Sequence, residues 1–402
     1  MFEKIQKKID FEKLTYCFFI IYTCFVVFEA TIYPLISDEI EIICKTIKYG
    51  CFMIFVIKIL YDIYQEKKLN INILIIAVLS IIIFLFSKNK SIIEITILLI
   101  SLRKMNYNKL IKLALRVFIV IFAVIINLSL LGLIPDWTYT RGETIRHSLG
   151  FLYPTDCIGI FFSIILMIFY IKKSNITVWE ILFLQTVNTF LYKYTDGRMS
   201  FILATILLLT MLISKRKIIK KFLYDNEIVQ KILSVICYIT PITLFILFNL
   251  IVLLYTDRNA FSIKINNLLS GRIEYTYNAY QNYGVPIFGK DIEWMGWGGH
   301  GYTDSKDASN FKYNFVDSSY AKMIFDYGIL FTMLVILSYT KILVIKNKEK
   351  DYWTVITLIY ILIWSFIEPY LINFGRNPLV LLLIPLINLG KNINLNIRKE
   401  NK

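Results

Sequence analysis

Between two long apolar runs, the stretch from Thr256 to Asp317 gathers Arg258, Arg272, His300, the cluster Trp294-Met295-Gly296-Trp297-Gly298-Gly299 and a run of tyrosines. Two shorter polar segments accompany it. One leads from Thr140 through Arg141, Arg146 and His147 to Tyr153-Pro154-Thr155-Asp156, and the other is Tyr194-Thr195-Asp196-Gly197-Arg198-Met199-Ser200. Of the ten arginines, six (Arg141, Arg146, Arg198, Arg258, Arg272 and Arg376) fall in these segments or in a last short link, while lysine dominates elsewhere. A guanidinium stays charged and offers paired donors that match the oxygens of a phosphate or carboxylate, where an ammonium is only a point charge. The set points to the holding of an anion. The plain alternative for any one arginine is a helix end reaching for a lipid phosphate.

Each candidate carries a chemical reading beside an ordinary one. Arg198 opens an apolar run, so free backbone N–H groups at a helix start would reinforce it against an anion, unless it only pairs with Asp196 across a turn. Leu269, Ile273, Tyr277 and Tyr280 recur at helical spacing and predict an amphipathic helix on the membrane surface. Arg272 falls in its first turn, Gly284 ends it, and Val285-Pro286-Ile287-Phe288-Gly289 reads as a turn. Gly296-Trp297-Gly298-Gly299-His300-Gly301 lacks the spacing and the preceding strand of a nucleotide loop, and suits a sugar-stacking surface or a lid. A histidine side chain ordinarily changes charge near neutral pH, which makes His300 a candidate general base, or else a hydrogen-bonded loop residue. Asp317 either caps the helix that follows or orients His300 or an arginine.

The elements that must position these groups are helices in a membrane. The 402 residues are 57% hydrophobic and 18% charged, with mean hydropathy +0.61. The apolar residues come in blocks long enough to cross a bilayer. About twelve spans are predicted, near 14–36, 42–63, 71–87, 90–102, 113–134, 153–172, 176–192, 199–214, 232–256, 318–344, 352–370 and 374–390. The fourth is short and carries Glu94. Alternate links hold Lys67-Lys68; Arg103, Lys104, Lys109 and Lys112; Lys172-Lys173; Lys215-Arg216-Lys217; and Lys346, Lys348 and Lys350. By the positive-inside rule both termini are cytoplasmic, and residues 257–317 form a large extracytoplasmic loop within a single integral membrane domain, 1–402. The fold class expected is therefore an all-α polytopic membrane protein.

The net charge of +15 lies in short links between apolar runs, so anionic lipid headgroups rather than nucleic acid are its natural partner. The six cysteines lie in or beside apolar spans and read as small buried hydrophobes, and two histidines do not suggest a zinc site. No metal and no cofactor is expected. The basic N-terminus before the first apolar run has no convincing cleavage site and reads as a retained helix.

Three segments together carry a resemblance. They are Arg146-His147-Ser148-Leu149-Gly150-Phe151 with Tyr153-Pro154; Gly271-Arg272 with Tyr283-Gly284 and Phe288-Gly289; and Val316-Asp317-Ser318-Ser319-Tyr320 with Tyr327-Gly328. In these the chain resembles the Wzy-type bacterial polysaccharide polymerases, within the wider group that includes O-antigen ligases. Where relatives often have asparagine after His-Pro, this chain has Tyr153-Pro154-Thr155-Asp156. The resemblance implies a metal-independent glycosyltransferase of the bacterial cytoplasmic membrane that acts on polyprenyl-diphosphate-linked oligosaccharide. It implies catalytic roles for Arg272, Arg198 and His300. It also implies substrate contacts at Arg141, Arg146, His147, Tyr153, Asp317, Tyr320 and Arg376, with a flippase and a chain-length regulator as protein partners. Two other readings stay open. A ligase passing finished glycan to another acceptor would have the same site. A lipid-linked oligosaccharide flippase would use intramembrane charges, for which Lys58, Glu94, Glu180 and Glu368 are the candidates.

Overall fold

The structure, a computed structural model, describes residues 11–33, 37–216, 224–298, 313–389 and 392–394. Apolar blocks fold as helices because a helix satisfies its own backbone polar groups where water is absent. In order these are α1 (Phe11–Phe28), α2 (Asp38–Glu66), α3 (Ile71–Ser87), α4 (Ser91–Ser101), α5 (Tyr107–Leu130), α6 (Pro154–Lys172), α7 (Val178–Thr195), α8 (Arg198–Ser214) and α9 (Glu227–Leu253). After α9 come two short helices, α10 (Ala260–Leu268) and α11 (Arg272–Tyr283), then α12 (Ser319–Lys348) and α13 (Tyr352–Trp364). Among the described residues five helices are long and apolar enough to cross a membrane: α1, α5, α6 with its continuation to Asn175, α9 and α12. Side chains at the starts set boundaries. Asn106 caps α5 through Lys109 N at 3.1 Å, and Thr177 with Glu180 forms a reciprocal capping box on α7. Glu180 is thus a capping residue, also paired with Lys172.

The last apolar run behaves differently from the expected helix over 374–390. It is a 3-10 segment, Pro378–Leu383, followed by one turn, α14 (Ile384–Ile387). The preceding helix ends at Trp364 rather than near 370. Pro369, Gly375, Pro378 and Pro385 account for both differences, since proline removes helix donors and restricts the residue before it. Residues 365–377 form a non-helical link outside the helices.

The links sort into two ends of the bundle. At one end β1 (Lys68–Asn70) pairs antiparallel with β4 (Asn392–Asn394). There too Asn388 Nδ2 donates to Arg103 O at 2.8 Å, Lys173 pairs with Asp351 at 2.9 Å, and Lys215 bonds the Ile176 carbonyl. The other end holds the link after α5, where β2 (Thr138–Arg141) and β3 (Thr144–His147) form a hairpin with Tyr139 opposite Arg146. Between these ends α6 is the central helix, buried at nearly every position from Pro154 to Tyr170.

One break determines the geometry of the hairpin end. Gly328, inside α12, has φ 86° and ψ 161°, a region open essentially only to glycine. The backbone of 286–290 crosses the helix there. Lys290 N donates to Phe325 O at 2.8 Å, and Ile329 N donates to Pro286 O at 3.0 Å. Loop backbone thus replaces the helical hydrogen bonds that the break removes. A Cβ on Gly328 would overlap the Ile287 carbonyl, and one on Gly289 (φ 84°) would stand 2.5 Å from Asp326 O. Gly328→Ala should cost more than about 3 kcal/mol from backbone strain and overlap together. Gly50→Ala, in α2 with open space around it, should cost well under about 1 kcal/mol. Thermal unfolding of the two variants in detergent checks the contrast.

Candidate functional site

At the hairpin end the links enclose a cavity of about 940 Å³. Its wall brings together Arg141, Arg146, Tyr153, Arg272, Asp317 and Arg376 from the residues singled out by sequence. The hairpin supplies the first two. Gly142, with φ +59°, makes the tight turn before Glu143, and strand alternation puts Tyr139, Arg141 and Arg146 on one face. Helix α11 takes in Ile273, Tyr277 and Tyr280 of the predicted stripe but not Leu269, which ends α10; it begins at Arg272 and is closed by Gly284 at φ 69°.

Arg272 sits between two carboxylates. Its Nε is 3.1 Å from Asp317 Oδ2, and its Nη2 is 3.3 Å from Glu368 Oε1. Burial by itself would lower the guanidinium's pKa. Asp317 first and Glu368 second outweigh that, so it ends above its ordinary value. Glu368, 3% exposed, responds in the opposite direction. Burial pushes its carboxyl up to about 8 although Arg272 pulls it down. Asp317 does not cap α12, because Ser318 accepts from Tyr320 N in that role. Tyr313 OH donates to Asp317 Oδ2 at 3.3 Å.

The same pairing recurs around the wall. Arg376 Nη2 meets Asp156 Oδ1 at 2.9 Å, and that oxygen also accepts from Tyr370 OH at 2.9 Å. Lys322 lies 3.4 Å from Asp326, Lys48 lies 3.2 Å from Glu29 and 3.3 Å from Glu94, and Arg141 lies 3.2 Å from Asp196. Trp294 donates to Asp326 at 2.7 Å, and the Lys322 ammonium rests 3.7 Å over its ring. Trp297 and Tyr313 stack at 5.9 Å. Lys48, Arg141, Arg146, Arg272, Lys322 and Arg376 are matched in number by the carboxyl groups of Glu29, Glu94, Asp156, Asp317, Asp326 and Glu368.

Arg146 is the exception within that balance. It is 1% exposed, and no carboxylate lies within ion-pair distance among the described residues. Nε donates to Thr195 O at 2.8 Å, Nη1 donates to Tyr153 OH at 3.2 Å, and Nη2 has no acceptor among the described residues. A buried guanidinium held by neutral oxygens, with one nitrogen unsatisfied, favours a nearby anion. Arg141 adds a second positive charge beside it, and its own pKa is lowered by burial and then by Arg146.

Other candidates stand elsewhere. Arg198 is largely exposed and pairs with Asp196 at 3.1 Å, the turn reading, so it does not line the cavity. His147 Nδ1 bonds Asp136 at 2.6 Å, and Asp136 also accepts from Leu149 N at 2.7 Å, which braces the link. Tyr320 is fully buried and donates to Leu362 O at 2.7 Å, locking α12 to α13. Arg258 is exposed on the loop, and His300 lies outside the described residues. Sequence reading placed Glu368 inside a span and left Asp156 without a role. Nothing local in sequence signals their arginine partners, which come from distant segments. Lys58, another intramembrane candidate, is buried against Asp62 at 2.6 Å.

No protein-family model matches the chain, and no curated protein and no solved structure matches it either.

Removing the central cation should expose its importance. Arg272→Ala leaves the buried Glu368 carboxyl with no donor among the described residues and Asp317 with Tyr313 alone, and should lower stability by about 3–5 kcal/mol. Adding Glu368→Gln should recover at least about 1 kcal/mol of that loss. A double-mutant cycle on detergent-solubilised protein, read by denaturation midpoint, checks both values.

Proposed function

We propose that the chain is a glycosyltransferase of the bacterial cytoplasmic membrane, polymerising polyprenyl-diphosphate-linked oligosaccharide repeat units on the outer face. The resemblance to Wzy-type polymerases implies this chemistry, and the cavity supports it. The single observation that carries the reading is Arg146, buried in the cavity wall with no carboxylate partner and one nitrogen unsatisfied among the described residues. In this reading the donor's diphosphate sits against Arg146 and Arg141. Charge develops there as the sugar leaves its carrier, and donors already fixed in place stabilise that charge more than the ground state. Trp294, Trp297 and Tyr313 offer ring faces for sugar.

The orientation rests on charge. Lys67, Arg103, Lys104, Lys172, Lys173, Lys215 and Arg216 lie in or beside links at the end opposite the cavity. Basic links remain on the cytoplasmic side, so the cavity faces outward, where flipped lipid-linked repeats are presented. Twelve crossings, with both termini inside, complete this arrangement. A flippase and a chain-length regulator are the protein partners that such a polymerase would require.

The test is the state of lipid-linked glycan in cells carrying Arg146→Ala at normal protein level. Long polymer should fall by about a hundredfold, with single repeats accumulating on the outer face. Arg198→Ala, outside the cavity, should stay within about twofold of the parent. Long polymer retained on its lipid but not passed onward would instead mean a ligase. Repeats trapped on the inner face would mean a flippase.

A further inference from the structure

We infer that Glu368 is the proton acceptor for the attacking sugar hydroxyl, the general base of the glycosyl transfer proposed above, and the inference rests on that reading. Its position comes first. The cavity wall can be followed through neighbouring groups. Arg146 donates to Tyr153 OH, Arg141, Tyr153 and Tyr313 line the same cavity, and Tyr313 bonds Asp317. Asp317 and Glu368 share Arg272, and beyond them stand Lys322 and Asp326. Glu368 therefore lines the same cavity as Arg146 and Arg141, with Arg272 and Asp317 beside it. A base that takes a proton during attack on a diphosphate-linked carbon belongs in such a place.

Its bonding comes second. Asp156 accepts from Arg376 and Tyr370, and Asp317 accepts from Arg272 and Tyr313. The Glu368 carboxylate receives a single donor among the described residues, the Arg272 Nη2 at 3.3 Å. It receives fewer donors than Asp156, Asp317 or Asp326. The backbone beneath it is fixed, because Ser319 Oγ donates to Glu368 O at 2.6 Å and Ser319 N donates to Ser365 O at 2.9 Å. The groups whose charge bears on it are Arg272, Asp317, Asp156 and Arg376, with Tyr370 alongside. Burial raises its pKa to about 8 against the pull of Arg272, which strengthens it as a base near neutral pH.

The step balances simply. The acceptor hydroxyl oxygen bonds to the anomeric carbon while that carbon's bond to the diphosphate oxygen breaks. The electron pair leaves with the diphosphate beside Arg146 and Arg141, and the hydroxyl proton passes to Glu368. A single displacement of this kind inverts the anomeric centre.

The experiment uses the full chain in lipid nanodiscs, with lipid-diphosphate-linked repeats extracted from cells in which the chain is deleted. Its readouts are kcat and KM across pH, and binding of geranylgeranyl diphosphate as a probe of the anion subsite. The wild-type kcat should rise to a plateau above about 8. Glu368→Gln should lose about 10²–10³ in kcat and lose that pH limb. KM and geranylgeranyl diphosphate affinity should change less than about threefold. Glu368→Asp should keep the limb at reduced rate, and serves as the decisive variant if Glu368→Gln does not fold. Glu368→Gln or Glu368→Asp within about threefold of wild type in kcat, or a wild-type kcat flat between pH 6 and 9, overturns the assignment. A wild-type chain that forms no glycosidic bond from these lipids overturns the functional reading and the base together.

Discussion

The hairpin end of this molecule depends on one backbone exchange, in which the 286–290 segment takes over the hydrogen bonds that α12 gives up at Gly328. An unbroken helix would leave the long loop with no fixed seat on the bundle. With the break, the loop is tied by backbone on both sides of the kink, and Trp294 is set where its indole reaches Asp326. The half of α12 before the kink then presents Lys322 and Asp326 to the cavity, while its first residues grip the 365–377 link through Ser318 and Ser319. Side-chain chemistry in the cavity therefore rests on one residue without a side chain.

Within that frame, electrostatics separates wall from site. Buried arginines matched to buried carboxylates are expensive to dehydrate and gain little net stability, yet removal of either partner is severely destabilising. Such pairs hold a polar chamber open among apolar helices. The Arg272 cluster joins α11, the start of α12 and the 365–377 link through side chains alone. Arg146 departs from the pattern, since its partners are a carbonyl and a phenol. A chamber of paired charges with one unmatched buried cation is better arranged to receive an anion than to pack as a core.

Much of the scaffold was legible in sequence because apolar blocks of membrane length permit only helices. The short α11 was legible in part, since Ile273, Tyr277 and Tyr280 fall at helical spacing and Gly284 closes it at φ 69°, whereas Leu269 ends α10. The hairpin was not. Thr-Tyr-Thr-Arg and Thr-Ile-Arg-His are too short for alternation to stand out, and they read as polar loop. The break at Gly328 was hidden because one glycine in an apolar helix is usually tolerated, and its partner segment lies some forty residues upstream. Pairings such as Arg272 with Glu368 or Arg376 with Asp156 join segments far apart in the chain. The arginines were visible one by one, but whether each was free or already neutralised depended on the tertiary fold.

The pairing of charges along the cavity wall has a consequence for how a ligand is selected. A basic surface draws anions through a cloud of counter-ions, and its grip weakens as ionic strength rises. Here most cations already face carboxylates of the same chain, so an arriving anion has few mobile ions to displace. It must compete with fixed side chains for the same guanidinium nitrogens, at separations far inside the screening length. Selection in such a chamber is made by fit and by proton count, and it is largely indifferent to the salt of the surroundings.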